Sequence, residues 1–367
     1  MSRLEAEPGH DVRDVKQAPD RPAMRDLDQA AFASLVEGHR RELQVHCYRM
    51  LGSFDDAEDL VQETFLRAWR KREAFEGRAS IRAWLYRIAT NACLDFLDRN
   101  PRRPVARSAG SAALTSDSPD DVNWLEPYPD LLLEPALPTD AEPDAALVAK
   151  ETIELAFLVA IQHLPPKQRA ALIMRDVLGW PASQTSAVLG LTVASVNSAL
   201  QRARATLKEH LPPRRLEWAP AEDPTQAERR LLQRYMWVFE RADAQALAEL
   251  LHEDVRVTMP MLTACTPGMP DPLWLARDPL VADLTAVLDP SSPRYLGRWR
   301  SIPTRANRQP AVAHYVQRPG DTWYSPQSLD VLRPVDGRIA EITTFGPSRF
   351  PAFGLPATLG QAETLMS

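Results

Sequence analysis

Asp55–Arg72 reads DDAEDLVQETFLRAWRKR and sets the reading of the first part of the chain. It holds no Gly and no Pro, and Ala57, Leu60, Val61, Phe65, Ala68 and Trp69 recur at helical spacing. The segment is therefore expected to be an amphipathic helix with one buried stripe. Its other face carries Glu58, Asp59, Gln62, Glu63, Arg67 and Arg70, which on composition alone is a solvated surface. Shortly after comes Ser80–Arg99, SIRAWLYRIATNACLDFLDR, with a buried stripe expected at Ile81, Trp84, Leu85, Ile88, Ala89 and Ala92. That leaves Arg82, Tyr86, Arg87, Thr90, Asn91 and Asp95 on or near the exposed side. Trp84 is expected in the core, whereas Tyr86 suits either a core or a binding role.

With 367 residues, the chain is long enough for two or three domains. Its three cysteines, Cys47, Cys93 and Cys265, are scattered without CxxC spacing. That pattern suits a reducing cytoplasm and predicts neither a disulfide framework nor a metal centre. No apolar run approaches bilayer length, and the first twenty residues are polar, so neither membrane association nor a signal peptide is expected.

The net charge of −6 hides a strong segregation. Ser108–Ala149 contains no Lys or Arg but carries Asp117, Asp120, Asp121, Glu126, Asp130, Glu134, Asp140, Glu142 and Asp144. From Pro165 to Arg215, basic residues (Lys167, Arg169, Arg175, Arg202, Arg204, Lys208, Arg214, Arg215) outnumber Asp176 and Glu209. Charge by segment points to a nucleic-acid partner for the basic part. The Pro-rich acidic connector is expected to be disordered.

Within the basic part, Lys167–Leu178 follows Pro165-Pro166 and stops at Gly179. Pro181–Leu189 stops at Gly190, and Thr192 offers an N-cap for Val193–Leu211. On this last helix Val196, Leu200, Ala203 and Leu207 face the core, leaving Ser195, Asn197, Ser198, Gln201 and Arg202 outside. This is a helix-turn-helix pattern, whose second helix reads base edges in the major groove.

Beyond it, Gln226–Leu251 predicts one long helix. Strand-like runs follow at Val255–Met259, Ile302–Ala306, Ala311–Val316, Gln327–Leu332 and Ile339–Thr344, with Asp336-Gly337 as a hairpin turn. A helix followed by a mostly antiparallel sheet argues for an α+β domain.

Asp55–Arg72 resembles region 2.2 of bacterial sigma factors, and Ser80–Arg99 resembles their regions 2.3 and 2.4. LPPKQRAALIMRDVLGW and SQTSAVLGLTVASVNSALQRARATL resemble region 4. Two modules with no full region between are similar to the extracytoplasmic function group of the sigma-70 family. The resemblance implies docking on core RNA polymerase through Glu58, Asp59, Gln62, Glu63 and Arg67. It implies −10 contacts from Arg78, Arg82, Tyr86, Arg87 and Asn91, with the Phe75–Ala79 loop holding a flipped base. It further implies −35 contacts from Thr192, Ser195, Asn197, Ser198, Gln201, Arg202 and Lys208. Ser183-Gln184-Thr185 departs from the acidic residues common in the family, which leaves the promoter sequence open.

HEDVRVTMP, GRWRSIPTRANRQPAVAHYV and DGRIAEITTF resemble the SnoaL-like domain, a cone of helices and curved sheet. The expected fold is therefore multidomain: two all-α helical modules followed by an α+β SnoaL-like cone. The expected boundaries are a disordered 1–23, region 2 at 24–104, an acidic linker at 105–144, region 4 at 145–212, a linker at 213–224, the cone at 225–351 and a tail at 352–367. Trp124 and Tyr128 in the linker suggest a docking element, on polymerase or on the chain's own third domain.

SnoaL-like folds include enzymes, and His252, Asp254, His314 and Asp330 offer acid–base groups. Trp237, Trp274, Trp299 and Tyr315 join His252 as candidate pocket residues, open to a small-molecule ligand. Fold analogy is a weak warrant for chemistry, and no nucleophile elbow or phosphate loop occurs. Neither catalysis nor a cofactor is expected, and the domain is read as regulatory through intramolecular contact with the sigma modules. Phe350 and Phe353 in the Pro-rich tail suit either a docking strap or a seal on their own domain. Two other readings are a helix-turn-helix regulator acting without polymerase, and a SnoaL-type enzyme fused to a DNA-binding segment.

Overall fold

The computed structural model describes residues 28–75, 80–101, 125–133, 153–210, 225–259, 273–275 and 277–360. Outside these residues lie the expected disorder of 1–23, most of the acidic linker including Trp124, the linker 213–224, Cys265, and Arg78.

The first module is α1 (Gln29–Glu37), α2 (Arg40–Leu51), α3 (Phe54–Lys71) and α4 (Ile81–Arg99). Side chains start three of these helices: Asp28, Ser53 and Ser80 each accept a backbone N–H three residues on. Gly52 ends α2 in the left-handed conformation, at φ 74°. The stripe expected on α3 is buried at Ala57, Leu60, Val61 and Ala68, with Phe65 and Trp69 half-buried.

The second module holds α5 (Leu155–Gln162), α6 (Pro166–Leu172), α7 (Ala182–Leu189) and α8 (Val193–His210). A wide π-turn, Ile173–Val177, closes α6. Gly190 at φ 64° makes the turn from α7 into α8.

In the third domain the single long helix expected over Gln226–Leu251 is two, α9 (Gln226–Arg241) and α10 (Ala244–Leu250). Ala242 turns left-handed, and the Asp243 carboxylate caps the Ala246 N–H at 3.0 Å, which starts a new helix. Six strands follow, β1 (Leu251–Met259), β2 (Leu273–Leu275), β3 (Arg298–Ala306), β4 (Gln309–Gln317), β5 (Ser325–Val335) and β6 (Arg338–Phe345). A further helix, α11 (Arg277–Leu288), precedes β3. The sheet order is β2-β1-β6-β5-β4-β3, antiparallel except where β1 lies along β6. Asp336 and Gly337 form the expected two-residue turn, with φ of 51° and 77°. Asn307 and Arg308 form a second such turn between β3 and β4, with φ of 56° and 62°.

β4 is buried on both sides, so it lacks the alternation of a half-exposed strand. Val312 and Val316 share a core with Tyr235, Val238 and Phe239 of α9. Ala311, Ala313 and Tyr315 belong to a second core that continues into both helical modules. Residues 125–133 of the connector, expected to be disordered, run as an ordered extended strand of chain with a short turn at Asp130–Leu132, and Pro129 pairs with Ala306.

Candidate functional site

On α3, Glu58, Asp59 and Gln62 are exposed and Glu63 and Arg67 half-buried. Arg67 reaches Glu63 on its own helix and Asp95 on α4, both at 2.8 Å. It holds the face in place, while Glu58, Asp59 and Gln62 stay open for a partner.

Of the residues expected to contact the −10 element, Arg87 and Asn91 project into solvent from α4. Arg82 is half-buried, 2.7 Å from Glu42, with its guanidinium over the Tyr86 ring. Burial alone would raise the Glu42 carboxyl, but His39 and Arg82 outweigh it and hold the pKa below the ordinary value. Tyr86 and Thr90 are not exposed, contrary to the sequence reading. Tyr86 lies between His46 and Trp180, with ring centroids 4.9 and 5.0 Å away, and burial pushes its phenol pKa up. Thr90 accepts from His46 Nε2 at 2.9 Å while donating to the Tyr86 carbonyl.

All seven residues placed on the −35 face, Thr192, Ser195, Asn197, Ser198, Gln201, Arg202 and Lys208, are exposed along α8 and its cap. The Thr192 hydroxyl accepts from the Ser195 N–H at 3.1 Å, as its N-cap position requires. Arg204 is tied to Asp176, and Arg169, counted with the basic residues of this module, does not face solvent.

Arg169 instead joins the two helical modules. Its guanidinium donates to the carbonyls of Met50, Gln162 and Leu164 and to Gln162 Oε1. Gln162 Nε2 in turn donates to the Arg49 carbonyl. The last carbonyls of a helix lack intrahelical partners. At the end of α2 those of Arg49 and Met50 are satisfied by region-4 side chains, and that of Gly52 by the connector's Glu126 N–H. An open cleft of 1070 Å³ lies along the same seam between Asp95 and Asp98 on one side and Lys167 on the other.

The third domain grips this junction with the tip of its β3–β4 hairpin. Asn307 Oδ1 accepts from the Tyr128 N–H at 2.8 Å, and its Nδ2 donates to the Tyr48 hydroxyl (2.8 Å) and the Ile153 carbonyl (2.7 Å). Asp130 accepts from the Arg308 N–H and the Arg305 side chain. Arg349 pairs with Asp55 at the start of α3 and with Glu126 at 2.8 Å. Glu126 also caps α3, accepting from Asp55 N–H and Ser53 Oγ. Sequence reasoning missed Asn307, Glu126, Arg349 and Arg169. The Asn-Arg turn between two strand-like runs was the signal available for the first.

The five pocket candidates do not line one cavity. Trp237 lies on the outer face of α9, and His252 Nδ1 accepts the Asp254 N–H in a local turn. Trp274 pairs with Thr258 through its backbone in β2, and its side chain lies outside the described residues. Trp299 is buried against Phe239. Tyr315 faces the opposite side of the sheet, packed edge to face with Phe350 and donating to the Pro356 carbonyl at 2.8 Å. Phe350 and Phe353 thereby seal their own domain, and Arg349 beside them makes the strap contact. Inside the cone, Tyr235 donates to Asp330 at 2.8 Å, and His314 lies between Asp330 and Ser301. Burial, then Asp330, raises the Tyr235 pKa well above its ordinary value.

Among the described residues, no group of three or more His, Cys, Asp or Glu is placed to hold a metal ion, and no helix is long and apolar enough to cross a membrane. Two all-α modules, the second a helix-turn-helix, and an α+β cone share one connector, the architecture expected of a promoter-recognition subunit of RNA polymerase. The family model for Sigma-70 region 2 matches residues 35–103, and that for Sigma-70, region 4 matches residues 154–207. The chain is 39% identical over 334 residues to the ECF RNA polymerase sigma factor SigG of Mycobacterium tuberculosis, covering 89% of this chain and 85% of that one. It is 31% identical over 228 residues to SigJ of the same organism, covering 61% of this chain and 64% of that one. The crystal structure of SigJ shares the fold, with a TM-score of 0.51 over 89% of this chain and 99% of that one, at 21% identity. The chain belongs to the ECF RNA polymerase sigma factors, which are transcription initiation factors and not enzymes.

Proposed function

We propose that this sigma factor is held closed when free and opens on core polymerase, with the third domain setting how readily it does so. In this reading α3 docks through Glu58, Asp59, Gln62 and Glu63. Arg82, Arg87 and Asn91 act on the −10 element, and the exposed face of α8 reads the −35 element. Tyr86 joins the −10 set only after Trp180 withdraws.

The packing of Trp180 against Tyr86, with Arg169 seated on the end of α2, carries the reading. Elements centred 25 positions apart lie about 85 Å apart at roughly 3.4 Å per base pair. A module of some fifty residues has a radius of gyration of only about 10 Å. Two such modules in contact do not span that distance, so initiation requires the seam to part. Asn307 and Arg349 grip the connector and region 2, which supports a role for the cone in the same equilibrium. A tethered domain acts at high effective concentration, so modest contacts suffice.

Dyes on α4 and α8 of the full chain, read by energy transfer with and without core polymerase, test this. Transfer should be high in the free protein and fall on holoenzyme assembly. Equal transfer in the two states would reject the closed-to-open scheme.

A further inference from the structure

The outer face of α9 remains without a role in promoter recognition or in gripping the connector. Arg230, Arg234, Trp237 and Arg241 are spaced at i, i+4, i+7 and i+11, which places them on one side of the helix. All four are exposed, Trp237 to 45%. The helix has two acidic residues, and both are committed to backbone N–H groups. Glu228 closes the capping box with Thr225 at 2.7 Å, and Glu240 accepts from the Ser301 N–H at 3.1 Å. Neither forms an ion pair with a stripe arginine among the described residues. Arg234 alone of the three arginines has an ion pair among the described residues, 3.6 Å from Glu249 with both side chains largely exposed. Such a pair is weak.

Helix stability does not account for the pattern. Arg230 and Arg234 repel at i, i+4, and the exposed indole leaves apolar surface in water. Only Arg241, in the last turn, complements the helix dipole. The opposite face supplies Leu231, Tyr235, Val238 and Phe239 to the domain core, so the stripe points away from the sheet. Arg230 to Arg241 covers about 16 Å at roughly 1.5 Å per residue. Duplex DNA presents one phosphate charge per about 1.7 Å of axis.

From this geometry we infer that α9 is an additional, sequence-independent contact to promoter DNA. Arg230, Arg234 and Arg241 lie against phosphates, and Trp237 packs on the sugar backbone between them. The occupant is duplex DNA because the charge is complementary and the sigma modules already hold DNA within reach of the tethered domain.

Holoenzyme carrying the triple change Arg230→Ala, Arg234→Ala and Arg241→Ala should bind long promoter fragments with a shallower salt dependence. At about 0.9 per neutralised phosphate, the slope of log K against log salt should fall by about 2.7. The selected promoter sequence should stay the same. A triple Lys variant should restore the slope, since it keeps the charges. An unchanged slope for the folded Ala variant overturns the inference. So does an unchanged slope with weakened binding to core polymerase in the absence of DNA, which would make the stripe a protein-docking face.

Discussion

The Asn307 amide donates to the Tyr48 hydroxyl at 2.8 Å, joining residues 259 positions apart in the chain. Tyr48 in turn donates to the Glu126 carbonyl at 2.6 Å, so one hydrogen-bonded line runs from the cone through α2 into the connector. Burial pushes the Tyr48 phenol pKa up, which keeps the hydroxyl protonated as a donor.

Asn307→Ala removes three hydrogen bonds at once and strands the buried Tyr128 N–H and Ile153 carbonyl. At about 1–3 kcal/mol for each of the two unsatisfied groups, the loss should be roughly 2–6 kcal/mol. Asn307→Gly should lose nearly as much while sparing the turn, whose φ of 56° strains Ala by about 1–2 kcal/mol. Denaturant unfolding and protease cleavage within residues 125–133 report both, and a wild-type cleavage rate in the two variants would show that the clasp is dispensable.

Trp180→Ala should loosen the seam between the helical modules, because it uncovers Tyr86 and leaves a void beside that ring. Truncating a buried aromatic costs about 3–5 kcal/mol, of which the part lost from the seam shifts the chain toward its open form. Energy transfer between α4 and α8 should fall in the free protein. Stability loss with unchanged transfer would place Trp180 in the core of its own module instead.

The helical modules were legible because their signals are local. The cap at Thr192, the stop at Gly190 and the stripes at helical spacing lie within a few residues of what they control. The break at Ala242 was not legible, since Gln226–Leu251 has helical composition throughout and only a single interior residue, Asp243, marks the new start. The seam was hidden for a different reason. Tyr86 and Arg169 look like exposed residues on their own helices, and they are buried only because another module covers them. The pocket failed through strand alternation: Tyr315 and His314 are neighbours in sequence and therefore on opposite faces of β4.

Acid should weaken region 2 through His46. Burial, with Arg49 nearby, lowers its pKa from the ordinary 6.5 to about 3. Nε2 donates to Thr90, and Nδ1 is buried without a hydrogen-bond partner among the described residues, so the fold holds the neutral ring. A depressed folded pKa gives stability that is complete above about 6.5 and declines as pH falls toward about 3. The slope is about 1.4 kcal/mol per pH unit once the unfolded His is charged. Between pH 6.5 and 5 the protein should lose roughly 1.5 kcal/mol by this route, and His46→Gln should flatten that part of the curve. Parallel curves for the variant and the parent would remove His46 as the acid-sensitive group.

The face of α3 proposed to dock on polymerase offers the last test. Asp59 and Gln62 are exposed, and at 52% exposure Leu66 lies on the same side one turn beyond Gln62. Substituting exposed residues usually changes stability by under about 0.5 kcal/mol. Asp59→Ala, Gln62→Ala and Leu66→Ala should therefore leave unfolding unchanged. Each lost contact of about 1.4 kcal/mol weakens binding tenfold. An interface anchored on an apolar centre loses most at that centre, so Leu66→Ala should cost more core affinity than either polar change. Arg67→Ala should behave differently, because it releases Glu63 and Asp95 and lowers stability along with affinity. Titration of labelled core polymerase with each variant reads the affinity, and thermal unfolding of the same samples reads the fold. Wild-type affinity in Asp59→Ala, Gln62→Ala and Leu66→Ala together would move the docking surface off this helix.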